Sequence, residues 1–331
     1  MEPSFASMAA NAYPRRSMYI LGAGHFHPET EIDNKFLESL DIGTTDEWVI
    51  ERVGIAARRT VLPLDYIRTT RNSNPRAAQE ASQYSVTDLG ERAARMAMQR
   101  ADVPPNDITL CVAAASVPQI CIPAHACSIA AKLGIQAPAF DLNSACSSFL
   151  AQLHFLKNTP GLILLIQSET YTMAANYNDR QTAVLWGDGA AAVVLSKQSG
   201  KAKILETTFG SNPMNFDKVV IPYAGHFFQD GNKVQRFAIT QTETTFKSLK
   251  TEKPHFIGHQ ANLRMLETAT QRIGIAPDKH HFNVHRHGNC GAAGAPSVLS
   301  EKWDSFHSGD QVAIVTVGSG LSWGGTVIEF L

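Results

Sequence analysis

Residues 138–156, PAFDLNSACSSFLAQLHFL, join a predicted strand to a predicted helix at a single cysteine. The first six residues are typical of a buried strand, and apolar side chains recur at helical spacing from Phe149 to Leu156. Cys146 lies between the two elements. A thiol at a helix N-terminus faces the positive end of the helix dipole, which favours the thiolate and predicts a nucleophile. A lone cysteine is, however, more often a small buried packing residue.

The alternation of strand and helix continues along the chain on both sides of this junction. Near-continuous apolar strands that alternate with helices predict an α/β protein, with a mostly parallel sheet covered by helices on both faces. The predicted strands are 18–26, 108–116, 138–143, 162–168, 190–196, 202–211, 255–259, 281–286, 311–319 and 324–331, and the predicted helices are 87–100, 123–133, 237–249, 263–273 and those following Ala145 and Ala292.

Two glycine-containing strands begin similar halves of the chain. MYILGAGHF starts at Met18 and AKILETTFGS starts at Ala202, and each is followed by the same α/β plan. We therefore predict one half over residues 18–200 and a second over 201–331. Residues 1–17 contain no apolar core of a signal peptide and are predicted to be a flexible leader. The polar stretch 69–84 is predicted to be a surface excursion, and 211–217 a loop.

Composition excludes several classes of function. Lys and Arg total 29 against 30 for Asp and Glu, so no basic excess exists to bind nucleic acid or an anionic membrane. The longest apolar runs, such as 162–166, are far shorter than a membrane span. The odd number of cysteines, five, and the absence of a CxxC pair argue against a disulfide framework or structural zinc. We predict a cytoplasmic protein with reduced cysteines.

His259 and Asn289 lie at two further junctions between a strand and a helix. In α/β sheets such junctions concentrate catalytic groups. The ring of His259 can donate a hydrogen bond, and the amide of Asn289 can donate to a developing oxyanion. A structural histidine and a helix N-cap are the alternatives.

Glycine and histidine clusters carry weaker signals. The segments VGSGLSWGG (317–325) and WGDGAAAVVL (186–195) favour tight turns, and neither contains a phosphate-binding motif. The four histidines of the cluster lack a nearby Cys or Glu to complete a metal site, so no metal is predicted. They are His280, His281, His285 and His287.

A set of arginines follows a tryptophan near the N-terminus. Trp48, Arg52, Arg58 and Arg59 lie on a predicted helix and turn. An exposed Trp48 beside arginines could stack on a nucleotide or bind phosphate, and a buried Trp48 on a solvated helix is equally consistent with the pattern.

Taken in order, these motifs resemble the β-ketoacyl-acyl carrier protein synthase III family of the thiolase superfamily. The resemblance extends from Met18 to Leu331. Its motifs are Cys146 at a helix start, HQANLR (259–264), GN (288–289), GSGLSWG (318–324), TTDEWVIERVGIAARR (44–59), the DR (179–180) before GDGAAA, and QDGNKVQRFA (229–238). The resemblance implies a thiolase-like five-layered αβαβα fold of two similar halves and a homodimer.

The same resemblance implies a catalytic role for three residues. Cys146, in the first half, would accept the acyl group, while His259 and Asn289, in the second, would stabilise charge as a malonyl unit decarboxylates. The backbone N–H groups of Cys146 and Gly320 would form the oxyanion hole. No cofactor is implied, because acyl and malonyl thioesters of coenzyme A or acyl carrier protein are the substrates.

Further positions match the family's substrate channel and carrier-protein surface. Trp48 and Arg52 match residues at the mouth of the pantetheine channel, and Arg264 matches a basic residue that meets the acidic acyl carrier protein. Ile122 stands where a bulky aromatic residue often closes the acyl pocket across the dimer interface.

Two departures from the family pattern bear on the substrate. Met173 replaces an arginine that helps to clamp the adenine of coenzyme A, which favours another acyl donor. Ser148 replaces the usual glycine after the nucleophile. With Ile122, these departures favour a specialised condensing enzyme of secondary metabolism over the housekeeping initiator of fatty-acid synthesis. The alternative is an acyltransferase that passes the chain to a hydroxyl or amine without decarboxylation.

Overall fold

The computed structural model describes residues 17–252 and 254–331, so the predicted leader lies outside the described residues except for Ser17. The strands are β1 Met18–Phe26, β2 Glu31–Asp33, β3 Ala57–Arg59, β4 Leu110–Ala114, β5 Ala139–Asp141, β6 Ile163–Thr170, β7 Asp188–Ser196, β8 Ala202–Ser211, β9 Val219–Val220, β10 Phe228–Gln229, β11 His255–Gly258, β12 His280–His281, β13 Gln311–Gly318 and β14 Ser322–Phe330. The helices are α1 Asn34–Ser39, α2 Asp46–Val53, α3 Leu64–Thr70, α4 Pro75–Ala81, α5 Val86–Ala101, α6 His125–Leu133, α7 Ser148–Leu156, α8 Arg180–Ala183, α9 Gly231–Ser248, α10 Leu263–Ile273, α11 Val284–His287 and α12 Gly294–Glu301.

Ten of these strands form one sheet, in the order β12-β11-β13-β14-β8-β1-β7-β6-β4-β5. Read outward from the centre, β1-β7-β6-β4-β5 and β8-β14-β13-β11-β12 have the same sequence of parallel and antiparallel pairings. Antiparallel pairing of β1 with β8 joins the two sets. The sheet therefore consists of two five-stranded parts with the same internal strand order.

Helices cover the two parts of the sheet and separate them. Helices α7 and α12 each contact strands of both parts, so they lie between them. Helices α5 and α6 pack on one outer face, and α9 and α10 on the other. The largest cores consist of buried Leu, Ile, Val and Ala side chains at these helix–sheet contacts. No helix in the described ranges is both long and apolar enough to cross a membrane.

Local sequence explains where the principal helices begin and end. Helix α5 begins with a capping box, in which the side chains of Ser85 and Asp88 accept hydrogen bonds from each other's backbone N–H. In α10 the side chain of Asn262 accepts a hydrogen bond from the N–H of Met265, and Gly274 ends the helix at a φ of 72°.

The structure corrects two predictions, the mostly parallel sheet and a strand at 281–286, and adds detail to a third. Five of the nine strand pairings in the ten-stranded sheet are antiparallel, so the sheet is mixed. The polar stretch 69–84 contains the end of α3 and all of α4, because Asn74 caps α4 and Pro75 begins it. The predicted strand 281–286 ends at His281 and is followed by helix α11. There the carboxamide oxygen of Gln260 accepts the N–H groups of Asn283 and Val284, which replaces the pairing of a strand.

Candidate active site

Cys146 lies in a tight turn between β5 and α7. Ala145 adopts a φ of 47°, and its N–H donates to the side chain of Asn143 at 2.9 Å. The turn is pressed against the loop after β13, where a Cβ on Gly318 would lie 3.1 Å from the backbone nitrogen of Cys146. A side chain at Gly318 would therefore displace the nucleophile.

The environment of Cys146 does not favour the thiolate that its sequence position predicts. Helix α7 begins at Ser148, two residues later, which weakens the influence of its dipole. Burial raises the pKa of the Cys146 thiol to about 12, and the buried Glu169 adds to the rise. The resting side chain is a neutral thiol near pH 7.

His259 directly follows β11, at the carboxyl end of a strand that pairs in parallel with β13. The residue is buried, and its Nδ1 has no hydrogen-bond partner among the described residues. Burial lowers the pKa of His259 to about 4, so the ring is neutral near pH 7. The neighbouring Gln260 anchors the turn, because its side-chain nitrogen donates to the carbonyl of Gly258 at 2.8 Å.

Asn289 is held by backbone hydrogen bonds to the segment before β7. Its N–H donates to the carbonyl of Leu185 at 2.8 Å, and its carbonyl accepts from the N–H of Gly187 at 3.1 Å. Its side-chain oxygen accepts from the N–H of Gly291 at 2.9 Å. Because that oxygen is engaged, the Nδ2 amide is the group left to donate to a ligand. The glycine of the GDGA motif thus positions Asn289.

Cys146, His259 and Asn289 line one cavity of about 930 Å³. The three residues supply a thiol, a neutral imidazole and an amide donor, and the lining also includes Asp217 and Asp230. Such a set can form a covalent thioester and donate hydrogen bonds to a developing enolate, but it contains no strong base.

Basic side chains gather around Trp48 on another wall of this cavity. The guanidinium of Arg52 lies 5.8 Å from the centre of the Trp48 ring, and that of Arg180 lies 5.0 Å from it. Arg180 also donates to the carbonyl of Gly43 at 2.9 Å. The sequence analysis did not select Arg180 as a site residue; its only signal was the DR pair before GDGAAA.

Arg264 lies outside the cavity lining, next to the helix that carries Trp48. Its guanidinium donates to the carbonyl of Ile50 on α2 at 3.1 Å and pairs with Glu267 at 3.0 Å. The side chain is 43% exposed. It therefore combines a fixed position with access to a partner.

Two predicted site residues, Ile122 and Gly320, do not line the cavity of this chain, and neither does Met173, which the sequence analysis aligned with the adenine-clamping arginine. Ile122 is 85% exposed, and Met173 is buried in the core beside the β6 end. Gly320 is flanked by two residues that do line it, Ser319 and Leu321, and its φ of 130° favours glycine.

Two weaker sequence signals prove to be structural. Arg58 is fully buried and donates to the carbonyl of Val184 and the side chain of Asn34, so it binds no ligand.

Of the histidine cluster, His287 bonds Glu301 at 3.0 Å and stacks on His27 at 3.9 Å. Among the described residues, these three are the set that offers metal-ligand atoms within 4.8 Å of one another. Parallel rings stacked face to face cannot both direct a nitrogen lone pair at one ion.

Two models of one family match the chain. The 3-oxoacyl-[acyl-carrier-protein] synthase III model matches residues 140–213, and the C-terminal model of that synthase matches 249–330. The matched ranges contain Cys146, His259 and Asn289.

Whole-chain relatives carry the same description. The beta-ketoacyl-[acyl-carrier-protein] synthase III of Natranaerobius thermophilus is 32% identical over 344 residues, covering 94% of this chain and 98% of that protein. That of Clostridioides difficile is 30% identical over 341 residues, with the same coverage. The crystal structure of 3-oxoacyl-[acyl-carrier-protein] synthase III from Aquifex aeolicus superposes with a TM-score of 0.83 at 28% identity, covering 95% of this chain and 100% of that one, which confirms the thiolase-like fold. The chain belongs to the β-ketoacyl-acyl carrier protein synthase III family.

Proposed function

We propose that the protein condenses an acyl group held on Cys146 with a malonyl-type thioester. Members of this family are condensing enzymes, a kind of acyltransferase. The observation that supports the specific chemistry is the joint placement of Cys146, His259 and Asn289 in one cavity.

The first half-reaction transfers the acyl group to the enzyme. The sulfur of Cys146 attacks the carbonyl carbon of the donor thioester, and the donor's thiol leaves with the proton that Cys146 loses. The backbone N–H groups of Cys146 and Gly320 stabilise the oxyanion during this exchange. These backbone N–H groups stabilise the charge by hydrogen bonding and transfer no proton.

The second half-reaction forms the carbon–carbon bond. The malonyl thioester loses carbon dioxide, and His259 and Asn289 donate hydrogen bonds to the resulting enolate oxygen. The enolate carbon then attacks the acyl carbonyl and expels the Cys146 sulfur as a thiolate, which takes a proton from water to restore the thiol. The low pKa of His259, about 4, suits this role, because a neutral ring donates without protonating the carbanion. It also makes His259 a poor base for activating an alcohol, which disfavours transfer to a hydroxyl.

The substrates are thioesters of acyl carrier protein or coenzyme A, and no cofactor takes part. Trp48 and Arg52, with Arg180 beside them, form the wall along which a pantetheine arm enters. Arg264 provides the exposed cation for an acidic carrier protein. Met173 gives no reason to prefer the carrier protein over coenzyme A, because it is buried away from the cavity, whereas Arg180 lies over the Trp48 ring in the cavity lining.

The protein acts as a homodimer in this proposal. The edge strand β5 has one free side, and the exposed apolar residues Ile120, Ile122 and Phe140 lie on it or just before α6. Pairing of two such edges would bury them, and Ile122 would then reach the partner's acyl pocket. A residue smaller than an aromatic leaves room for a longer or branched acyl chain, which fits a specialised condensing enzyme. The five free cysteines fit a reducing compartment such as the cytoplasm.

Mass spectrometry of the intact protein tests the proposal. An acyl-carrier-protein thioester should add one acyl mass at Cys146, and malonyl carrier protein should then yield carbon dioxide and a β-ketoacyl product. Cys146→Ala should accept no acyl group. Transfer of the acyl group to an alcohol or amine without release of carbon dioxide would contradict condensation. Running the first step with the coenzyme A thioester as well shows which carrier delivers the acyl group.

A further inference from the structure

Tyr171 places a phenolic hydroxyl at the nucleophile. Its oxygen lies 3.9 Å from the sulfur of Cys146, and the residue is 3% exposed. The ring stacks on Trp186, with 4.6 Å between centroids and 19° between planes. A Cβ on Gly291 would come within 2.1 Å of this ring. The phenol is therefore held between two neighbours and has no room to turn away from the sulfur.

A buried carboxyl group lies behind this hydroxyl and is linked to it by a serine. The backbone N–H of Ser116 donates to one oxygen of Glu169 at 2.8 Å, and the Ser116 hydroxyl oxygen lies 3.0 Å from the other. The neighbouring Ser116 side chain partly opposes the rise that burial gives the pKa of Tyr171. Glu169 is fully buried, and its burial raises the pKa of the carboxyl to about 8, so it is protonated near pH 7.

The topology explains how these groups meet. Strands β4 and β6 are parallel neighbours, with Ala114 paired with Gln167. Ser116 lies two residues beyond β4, Glu169 is near the end of β6, and Tyr171 directly follows that strand. Carboxyl ends of parallel strands share one edge, so a polar chain from Glu169 through Ser116 and Tyr171 leads to Cys146.

We propose that Tyr171 is a further catalytic residue, whose hydroxyl donates a hydrogen bond to the Cys146 sulfur whenever that sulfur carries negative charge. Ser116 and Glu169 are positioning residues: the protonated Glu169 donates to the Ser116 hydroxyl, and that hydroxyl donates to the Tyr171 oxygen, which leaves the phenol hydrogen for Cys146. The proton stays on Tyr171, and no bond to hydrogen breaks in this interaction. The charge arises as the thiol attacks and again as the condensation expels the sulfur, so the catalytic role rests on the proposed function.

The surroundings of Cys146 explain why its sulfur needs a hydrogen-bond donor. Burial opposes ionisation of Cys146, and helix α7 begins too late to offset this fully. A hydrogen bond to a charged sulfur is strong enough to change the thiolate population by about tenfold or more. Tyr171 is the side chain whose hydrogen bond lowers the pKa of Cys146.

The test measures the reactivity of the Cys146 thiol with iodoacetamide as a function of pH, with the alkylated peptide quantified by mass spectrometry. Tyr171→Phe removes only the hydroxyl and keeps the stacking ring. We expect its alkylation rate at Cys146 to fall about tenfold between pH 7 and 9. Tyr177→Phe is the matched control, because Tyr177 is equally buried but its charged neighbours are Arg58 and Asp188. Equal profiles for the two variants would overturn the proposal.

Glu169→Gln provides a second, independent variant. It removes the negative charge that Glu169 acquires above about pH 8 and keeps an oxygen to accept from the backbone N–H of Ser116. We expect Cys146 to react as in the wild type below pH 7 and faster above pH 8. Alkylation slower than in the wild type both below pH 7 and above pH 8 would contradict the assigned roles. Alkylation needs no acyl substrate, so this result stands or fails separately from condensation.

Discussion

Individual side chains acquire their chemistry in this protein from burial. His259 and Cys146 both stay neutral near pH 7, because their pKa values move in opposite directions to about 4 and about 12. A neutral imidazole can donate a hydrogen bond to an enolate, and a neutral thiol is protected from indiscriminate alkylation. Two neutral side chains suit a cavity in which charge develops only during the reaction.

Asn289 offers a prediction at the residue scale. Asn289→Ala removes one of the two donors to the enolate, so we expect condensation to slow by about 10²–10³-fold. Acylation of Cys146 should persist, because Asn289 acts only in the second half-reaction. Asn289→Asp is the matched control for structure, since it retains an acceptor for the N–H of Gly291. Loss of acylation in a folded Asn289→Ala protein would contradict the division of roles.

At the scale of elements, strand ends and the turns after them position the site. The turn before Asn289 is the most constrained, since Gly288 has a φ of 73° and packs against Arg58 and Gly187. This close approach keeps Asn289 paired with the segment that precedes β7.

Substitution of this glycine tests the constraint. A Cβ at Gly288 would lie 2.8 Å from a side-chain carbon of Arg58 and 3.0 Å from the backbone nitrogen of Gly187. We expect Gly288→Ala to destabilise the fold by roughly 2 kcal/mol or more and to reduce condensation. Gly274→Ala is the control, with a φ of 72° and no atom within 4 Å of its Cβ. It should cost only the backbone strain, about 1 kcal/mol, in chemical denaturation. Equal losses of stability in the two variants would show that packing at Gly288 contributes nothing to the stability of the fold.

At the scale of the whole molecule, buried histidines make stability depend on pH. His125 is buried, and burial lowers its pKa from 6.5 to about 4. As the pH falls through 6.5, the unfolded chain binds a proton that the folded chain does not bind until about pH 4. The contribution of His125 to stability is therefore unchanged above pH 6.5 and falls by roughly 3 kcal/mol across this window.

The His125→Gln variant isolates that effect. Gln does not titrate and can retain a hydrogen bond to Ser168. Between pH 4 and 6.5, we expect the free energy of unfolding of the variant to change less with pH than that of the wild type, by about 1.4 kcal/mol per unit. Denaturant melts at half-unit intervals measure this slope. Parallel curves for the two proteins would contradict the prediction.

Assembly is also a property of the whole molecule. If β5 edges pair in a homodimer, Ile122→Glu should shift the mass measured by light scattering toward the monomer. A charge buried at an interface without a partner costs several kcal/mol. Leu331→Glu is the control, since Leu331 is also exposed but its N–H bonds Lys201, beside the central strand β8. A wild-type protein that is monomeric at micromolar concentration would contradict the proposal of a dimer.

The sequence by itself determined the family, the α/β alternation and the three residues on which the proposed chemistry depends. These follow from local patterns, since apolar periodicity and motifs such as HQANLR depend on neighbours in the chain. Helix α10 was predicted with its observed bounds, because a capping asparagine and a terminal glycine specify it locally. Local sequence could not show that the predicted strand at 281–286 is wrong. The N–H of Asn283 there donates to the side chain of Gln260, which belongs to a distant part of the chain.

Only the tertiary structure decided the charge states and the supporting residues. The pKa of Cys146 depends on burial and on Glu169, which lies 23 residues away in the chain. Arg180 meets Trp48, and Tyr171 meets Cys146, through contacts between distant elements. Sequence spacing carries no information on such distances, because the order of strands in the sheet differs from their order in the chain.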